Sequence, residues 1–339
     1  QLAEEDLLGE DVLDVALERA AQRPGAEHGI EAALGDQRLR RGRELDAHVL
    51  VLEPALDLGD HQVDDALDIR LLNFYGRNDA EGRNVTPYGQ QIVDNVIHEL
   101  VAELEESSDY RARRRAIDAY NEASPVLKKG LAFTPLKFGI AFNVTHLNQA
   151  GALVHVYVDG SVLVNHGGTE MGQGINTKVM QVVAHELGLD LERVRATATD
   201  TSKVANTSAT AASTGADLNG KAAQDAARQI RERLADYAVK LYGGEAACVR
   251  FFDNHIHVNG HVVPFAELVQ KAYLARVQLW SDGFYATPGL SWDAKTMTGH
   301  PFSYYAYGAA VAEVVVDTLT GEWKLLRADA LYDAGESVN

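Results

Sequence analysis

The sequence predicts an α+β fold, and three patterns carry the prediction. Ile92, Val93, Val96, Ile97, Leu100, Val101 and Leu104 recur at three- and four-residue spacing, which lays one apolar stripe along a helix. Apolar-alternating runs meet at Asp159-Gly160 and again at Asn259-Gly260, pairs that favour two-residue hairpin turns. Between those turns residues 219–241 read as one long helix, so helices and antiparallel strands share the chain.

Residues 1–72 differ from the rest in composition. They hold 18 Asp and Glu against 7 Arg, a balance of −11, which leaves −7 of the total −18 for the other 267 residues. They contain no Ser, Thr, Asn, Lys, Cys, Met, Phe, Tyr or Trp, so no aromatic anchors a core and few short polar side chains are present to cap helices. Such bias predicts poor order, with a helix expected at 4–20 and an apolar run at 49–52 cut short by Pro54.

From about Asp65 the character changes. Thr86-Pro87 offers an N-cap followed by proline at the first helical position, so the striped helix is expected to begin there. A second helix is expected over 109–121, ended before Pro125, with Arg111, Arg113, Arg114 and Arg115 on a solvated or salt-bridged face. Strands are expected at 136–144, 152–158 and 161–165, then a helix over 176–187 stopped by Gly188, and a strand at 194–198. A short hairpin spans 249–263, Pro264 opens a helix to Ala275, and 304–316 with 323–329 form a further strand pair.

Two stretches resist explanation as core. His166-Gly167-Gly168-Thr169-Glu170-Met171-Gly172-Gln173-Gly174 surrounds one amide side chain with four glycines, which builds little core but lets backbone come close to a ligand. It runs into a helix whose free N–H groups and dipole favour an anion, and a bound phosphate or oxo group is the expectation; a chain-reversing turn is the alternative. The second, Asn206-Thr207-Ser208-Ala209-Thr210-Ala211-Ala212-Ser213-Thr214-Gly215-Ala216-Asp217, offers hydrogen-bonding side chains without bulk ahead of another helix and reads as a shaped loop rather than a linker.

Composition narrows the function classes. With 46% hydrophobic residues in 339, the chain can bury a large core and form two domains. It has no apolar run of about 18 residues, and Gln1-Leu2-Ala3-Glu4-Glu5-Asp6 is unlike a signal peptide, so a soluble cytoplasmic protein is expected. The charge of −18 argues against nucleic acid or an anionic membrane as partner. The lone Cys248 leaves no internal disulfide and is expected to be a buried apolar residue. His185, His255 and His257 stand in no zinc spacing and are expected to be structural, and no Gly-x-Ser-x-Gly elbow, Walker loop or Rossmann fingerprint occurs.

Asn73-Phe74-Tyr75-Gly76, Thr86-Pro87-Tyr88-Gly89-Gln90, Lys128-Lys129-Gly130-Leu131, Lys137-Phe138-Gly139-Ile140, the run Leu147-Asn148-Gln149-Ala150-Gly151-Ala152-Leu153-Val154-His155-Val156-Tyr157, the glycine loop, the second loop and Asp217-Leu218-Asn219-Gly220 together resemble the molybdenum-binding subunit or domain of xanthine dehydrogenases. The resemblance runs from about residue 65 to Asn339. It implies an α+β molybdopterin-binding fold of the xanthine dehydrogenase and aldehyde oxidase type, with mixed sheets and packed helices, incomplete at both ends. The implied divisions are 1–64 outside the family, 65–135 as the helical part of a first molybdopterin-binding domain, and 136–339 as a second, truncated one.

The implied activity is hydroxylation in purine catabolism, from hypoxanthine and xanthine to uric acid, with water as oxygen source and NAD as final acceptor. The molybdenum cofactor would be held by Met171, Gly172, Gln173, Ala211, Ala212, Ser213 and Gly215, with the metal bound by the pterin dithiolene and by no side chain. Phe142, Asn143, Val144 and Leu147 would shape the purine side. The 2Fe–2S centres and FAD would sit on another subunit or other domains of the same oligomeric enzyme.

The departures matter as much. The family commonly has Phe-Thr where this chain has Phe142-Asn143, which leaves open an aldehyde or another heterocycle as substrate. An Ala-Phe-Arg-Gly-Phe-Gly-Gly-Pro-Gln segment is missing from residues 1–72, and the general-base glutamate would lie beyond Asn339. The expectation is therefore an inactive fragment when alone, since a placed base is worth factors of about 10²–10⁴, with residues 1–62 arising from a frame or strand error or a rearrangement. A non-catalytic binding or assembly role is the further alternative.

Overall fold

The computed structural model describes residues 65–77 and 80–336, which fall into two units divided between Asn73 and Phe74. The helix and apolar run expected at 4–20 and 49–52 lie outside the described residues. In the first unit, helix α1 (Ala66–Leu72) is capped by Asp65, whose Oδ1 accepts from the Leu67 N–H at 2.7 Å.

The second unit begins with a correction. The helix expected from Thr86 starts eleven residues later, as α2 (Ile97–Ser107). Thr86 instead closes a tight turn: its Oγ1 and N–H bond Gln90, its carbonyl accepts from Gly89, and Asp94 adopts a left-handed φ of 54° that a helix excludes. Helix α3 (Tyr110–Ala123) follows, and its arginine face is salt-bridged. Arg113 sits between Glu313 and Asp329, both at 2.9 Å, and Arg111 bonds Glu105 at 2.5 Å.

Strand β1 runs Leu127–Ile140, starting nine residues before the expected 136 and ending four before 144. The chain breaks off at Ala141, whose φ of 146° no strand residue adopts. The anticipated domain boundary at 135 falls within this strand. Next come β2 (Gln149–Val156), β3 (Val162–His166), α4 (Ile175–Leu187), β4 (Val194–Ala196) and α5 (Gly215–Tyr242). The long helix thus starts four residues before the predicted 219. Strands β5 (Arg250–Phe252), β6 (His255–Val258) and β7 (His261–Pro264) precede α6 (Phe265–Leu274). Strands β8 (Trp280–Ala286), β9 (Ser291–Asp293) and β10 (Thr298–His300) were not expected; β11 (Tyr304–Asp317) and β12 (Trp323–Asp333) were.

The strands form an antiparallel sheet β1-β11-β12, a sheet β4-β3-β2-β8, an antiparallel sheet β5-β6-β7 and the small pair β9-β10. Among the described residues only β3 and β4 run parallel, Val164 opposite Ala196, with α4 as the crossover that parallel pairing requires. β2 alternates half-buried and buried residues along its whole length, so one face of its sheet is core. Helices α4 and α5 cover that face with Val179, Val183, Leu187, Ala222, Ala226 and Ile230, all buried. The alanines let α5 lie close: a Cβ added at Gly283 of β8 would stand 2.5 Å from the Ala226 nitrogen. Gly188 ends α4 with φ 67°, as the sequence predicts. Cys248 is exposed rather than buried, because it closes a 3-10 turn at Ala246–Cys248 and leaves the inward position to Val249.

Candidate functional site

The site is built where the two parallel strands end. β3 delivers the chain at His166 into the glycine loop, and β4 delivers it at Ala196 into the second loop, so the register of one strand pair brings both loop entrances side by side. Hydrogen bonds continue the pairing past the strands. Thr197 Oγ1 donates to Asn165 Oδ1 at 2.6 Å, and Thr199 Oγ1 donates to the carbonyls of His166 and Gly168 at 3.1 and 2.8 Å.

The loops then touch directly. The Thr169 N–H donates to Thr210 Oγ1 at 2.8 Å. Gly167 lies against Thr207, so that a Cβ there would overlap the threonine side chain, and a Cβ at Gly168 would stand 2.9 Å from Asn219 Nδ2. The starts of α4 and α5 also abut, with Ile175 Cδ1 3.1 Å from the Cβ position of Gly215. Two helix N-termini, each with the positive end of its dipole, therefore face one region.

They are used differently. At α4 the anion expected from outside is the chain's own Glu170: Oε1 accepts from the N–H groups of Gly172 at 3.0 Å and Gly174 at 2.9 Å, and Oε2 from that of Asn176 at 3.1 Å. These amides, Asn176 first, hold its carboxyl below the usual carboxylate range. Gln173 braces the same loop, accepting from the Met171 N–H at 2.6 Å and donating to the Thr169 carbonyl at 2.8 Å. Met171, Gly172 and Gln173 stand exposed at the surface of this loop.

At α5 no side chain caps the first turn. Ala212 and Ser213 just before it both adopt left-handed φ, 53° and 56°. That costs an L-residue roughly 1–2 kcal/mol, and two such residues in succession persist only where the surrounding structure holds them. Ala211 and Ser213 are exposed, Ala212 and Gly215 half-buried. Beneath them the Asn219 amide donates to the Gly215 carbonyl at 2.8 Å, while its buried Oδ1 has no partner.

Phe142, Asn143, Val144 and Leu147 lie on the loop after β1. Asn148, buried, ties this loop shut: the Phe142 N–H donates to its Oδ1 at 2.8 Å, and its Nδ2 donates to the Phe142 carbonyl at 2.8 Å. The Ser208 hydroxyl donates to the Gln149 carbonyl at 3.3 Å, linking the second loop to this segment. A cavity of about 160 Å³ joins Ile140 and Ala141 to Thr214, Asp217 and Tyr304, and the Tyr304 hydroxyl donates to Asp217 Oδ2 at 2.8 Å. Burial, then that carboxylate, raises the Tyr304 pKa. Phe142 and Leu147 are half-buried, whereas Asn143 and Val144 are exposed.

His166 sits buried at the root of the glycine loop and accepts from the Gly168 N–H through Nδ1 at 3.2 Å. Burial lowers its pKa, against an opposing contact with Asn176 and the charge of Glu170. Neither Asn148, His166 nor the capping role of Glu170 was read from the sequence. A larger cleft of about 560 Å³, lined by His185, Glu186, Arg231 and Arg250, lies beside the C-terminal end of α4 and contains none of the loop residues. Of the other histidines singled out in the sequence, His257 stacks on Phe252 at 3.9 Å while its buried Nε2 has no partner, and His255 bonds the Asp253 carbonyl at 2.6 Å.

A family model described as a molybdopterin cofactor-binding domain matches residues 103–339. Xanthine dehydrogenase of Dictyostelium discoideum is 42% identical over 278 residues, 81% of this chain and 19% of that protein. Xanthine dehydrogenase/oxidase of Felis catus is 40% identical over 274 residues, with the same coverage on both sides. The chain thus spans about a fifth of the length of these curated relatives. Among solved structures, quinoline 2-oxidoreductase from Pseudomonas putida 86 aligns with a TM-score of 0.64 at 22% identity over 80% of this chain and 35% of its own. CO dehydrogenase from Oligotropha carboxidovorans gives 0.64 at 20% over 81% and 35%, and likeness at this identity establishes the shared fold.

Proposed function

The chain belongs to the molybdopterin cofactor-binding domain family, and on that premise we propose that it forms part of a molybdenum hydroxylase of the xanthine dehydrogenase type. In this reading the substrate is a purine, hypoxanthine or xanthine, oxidised to uric acid in the cytoplasm with water as oxygen source. The 2Fe–2S and FAD groups that would carry electrons to NAD as final acceptor would be held elsewhere in the assembled enzyme. The observation that carries the reading is the junction of the two loops through Thr169 and Thr210, with Gly167 packed on Thr207.

The residues fit the cofactor. Met171, Gly172 and Gln173 offer an exposed surface on one loop; Ala211, Ala212, Ser213 and Gly215 offer small side chains on the other, beside a helix end without a side-chain cap. An anionic group of the cofactor would meet the N–H groups at the start of α5 without displacing a side-chain acceptor of the kind Glu170 gives α4, the first-turn carboxylate of Asp217 being engaged by the Tyr304 hydroxyl. When bound, the cofactor supplies two-electron redox chemistry at molybdenum. This chain's residues orient and enclose it: Asn148 fixes the Phe142 loop, and Phe142 with Leu147 presents apolar surface to a flat ring while Asn143 adds an amide. Asp217 and Tyr304 place a paired carboxylate and hydroxyl in the cavity lined by Ile140 and Ala141, which lead into that loop.

Expression in a host that makes the cofactor, followed by molybdenum and pterin analysis, tests the binding; about one of each per chain is expected, and none of either would overturn it. Assay of the loaded protein, assembled with its electron-transfer domains, against hypoxanthine, xanthine and an aldehyde tests the substrate. Turnover confined to the aldehyde would replace the purine reading.

A further inference from the structure

The glycine loop is closed around a side chain of its own. Glu170 reaches forward two, four and six residues to the N–H groups of Gly172, Gly174 and Asn176. No Lys or Arg pairs with it among the causes that hold its carboxyl charged; backbone amides do so. A six-residue segment with glycine at 172 and 174 has many conformations to lose on ordering, so such a loop needs an internal tether to hold one shape. Glu170 provides it with an exposed side chain, the Gln173 amide adds a bond to the Thr169 carbonyl, and the Thr169 N–H ties the loop to Thr210.

We propose that Glu170 is the positioning residue of this loop: by gathering three amides onto one carboxylate it sets the turn that presents Met171, Gly172 and Gln173 to the cofactor. The inference rests on the reading of the site given above. It makes Glu170 act through those three residues, since its own oxygens are spent on the amides. The length of the side chain is part of the device, because both oxygens must reach different turns of the incoming chain, and an aspartate is one methylene shorter.

The test uses the whole chain, with Glu170→Ala, Glu170→Asp and Glu170→Gln beside wild type. Hydrogen exchange at Gly172, Gly174 and Asn176 should be at least tenfold faster in Glu170→Ala and in Glu170→Asp. Glu170→Gln keeps the Oε1 acceptor and should restore protection at Gly172 and Gly174 but leave Asn176 fast, a pattern that general loosening does not produce. Pterin retained after gel filtration should fall at least tenfold in Glu170→Ala with the circular dichroism spectrum unchanged, and recover in part in Glu170→Gln. Equal exchange at all three amides in wild type and Glu170→Ala, or equal pterin retention, overturns the inference alone. A wild type that takes up no pterin overturns the reading of the site and the inference with it.

Discussion

Gly167 shows how a single hydrogen atom in place of a side chain decides the contact between the loops. An alanine there would place its Cβ inside the Thr207 side chain. Overpacking of this kind costs about 1–3 kcal/mol, and it falls on the contact that joins the loops. Gly167→Ala is expected to keep the fold by circular dichroism yet lose most of its pterin, and Thr207→Gly in the same chain should recover much of the loss; full retention in Gly167→Ala alone would contradict the geometry. His166 gives the same loop an acid limit. Burial holds its folded pKa below the value of about 6.5 expected when unfolded. Below that pH the unfolded chain binds a proton that the fold refuses, so stability falls with pH, at up to about 1.4 kcal/mol per unit, until the folded pKa is reached. Thermal midpoints between pH 7.5 and 5 should therefore drop in wild type and drop less in His166→Gln. The sequence made the glycine loop legible because glycines announce close approach. It hid the caps: which carbonyl or amide Glu170, Asn148 and His166 would meet depends on where the chain returns, and no local pattern records that.

Elements were legible where a stop signal and a period agreed. Gly188 ends α4 and Pro264 opens α6 because each residue restricts the backbone at that point. Thr86-Pro87 carried the same kind of signal and misled, since Thr86 closes a turn on Gln90 and Asp94 breaks the helical path before α2 can begin. β8 was missed because Ser281, Asp282 and Gly283 dilute its apolar pattern, and its place is set by α5 instead. Gln229 Nε2 donates to the Asp282 carbonyl at 2.9 Å, the Ser281 hydroxyl bonds Gln229 Oε1 at 2.7 Å, and Gly283 leaves room for the helix backbone. Gly283→Ala should push α5 off the sheet and lower stability by about 2 kcal/mol, read as a fall in the urea midpoint at constant slope. A neutral effect would mean that α5 and β8 are not in close contact.

At the scale of the molecule, one parallel strand pair organises the site. Chain ends of parallel strands are where open α/β sheets bind ligands, and here β3 and β4 each release a loop at that end, while the rest of the sheet is antiparallel. The sequence showed both loops and the helices behind them, and the family resemblance joined them to one cofactor. It could not show the pairing of β3 with β4, because 27 residues separate the two strands and packing of α4 on the sheet brings them together. The larger cleft beside His185 and Arg250 offers a rival location with more space and none of this architecture. Anomalous X-ray scattering at the molybdenum edge from crystals of the loaded protein separates the two. The account predicts one peak between the loop of Met171 and Gln173 and the loop of Ala211 and Ser213; a peak in the cleft, or on the far side of either loop, would contradict it.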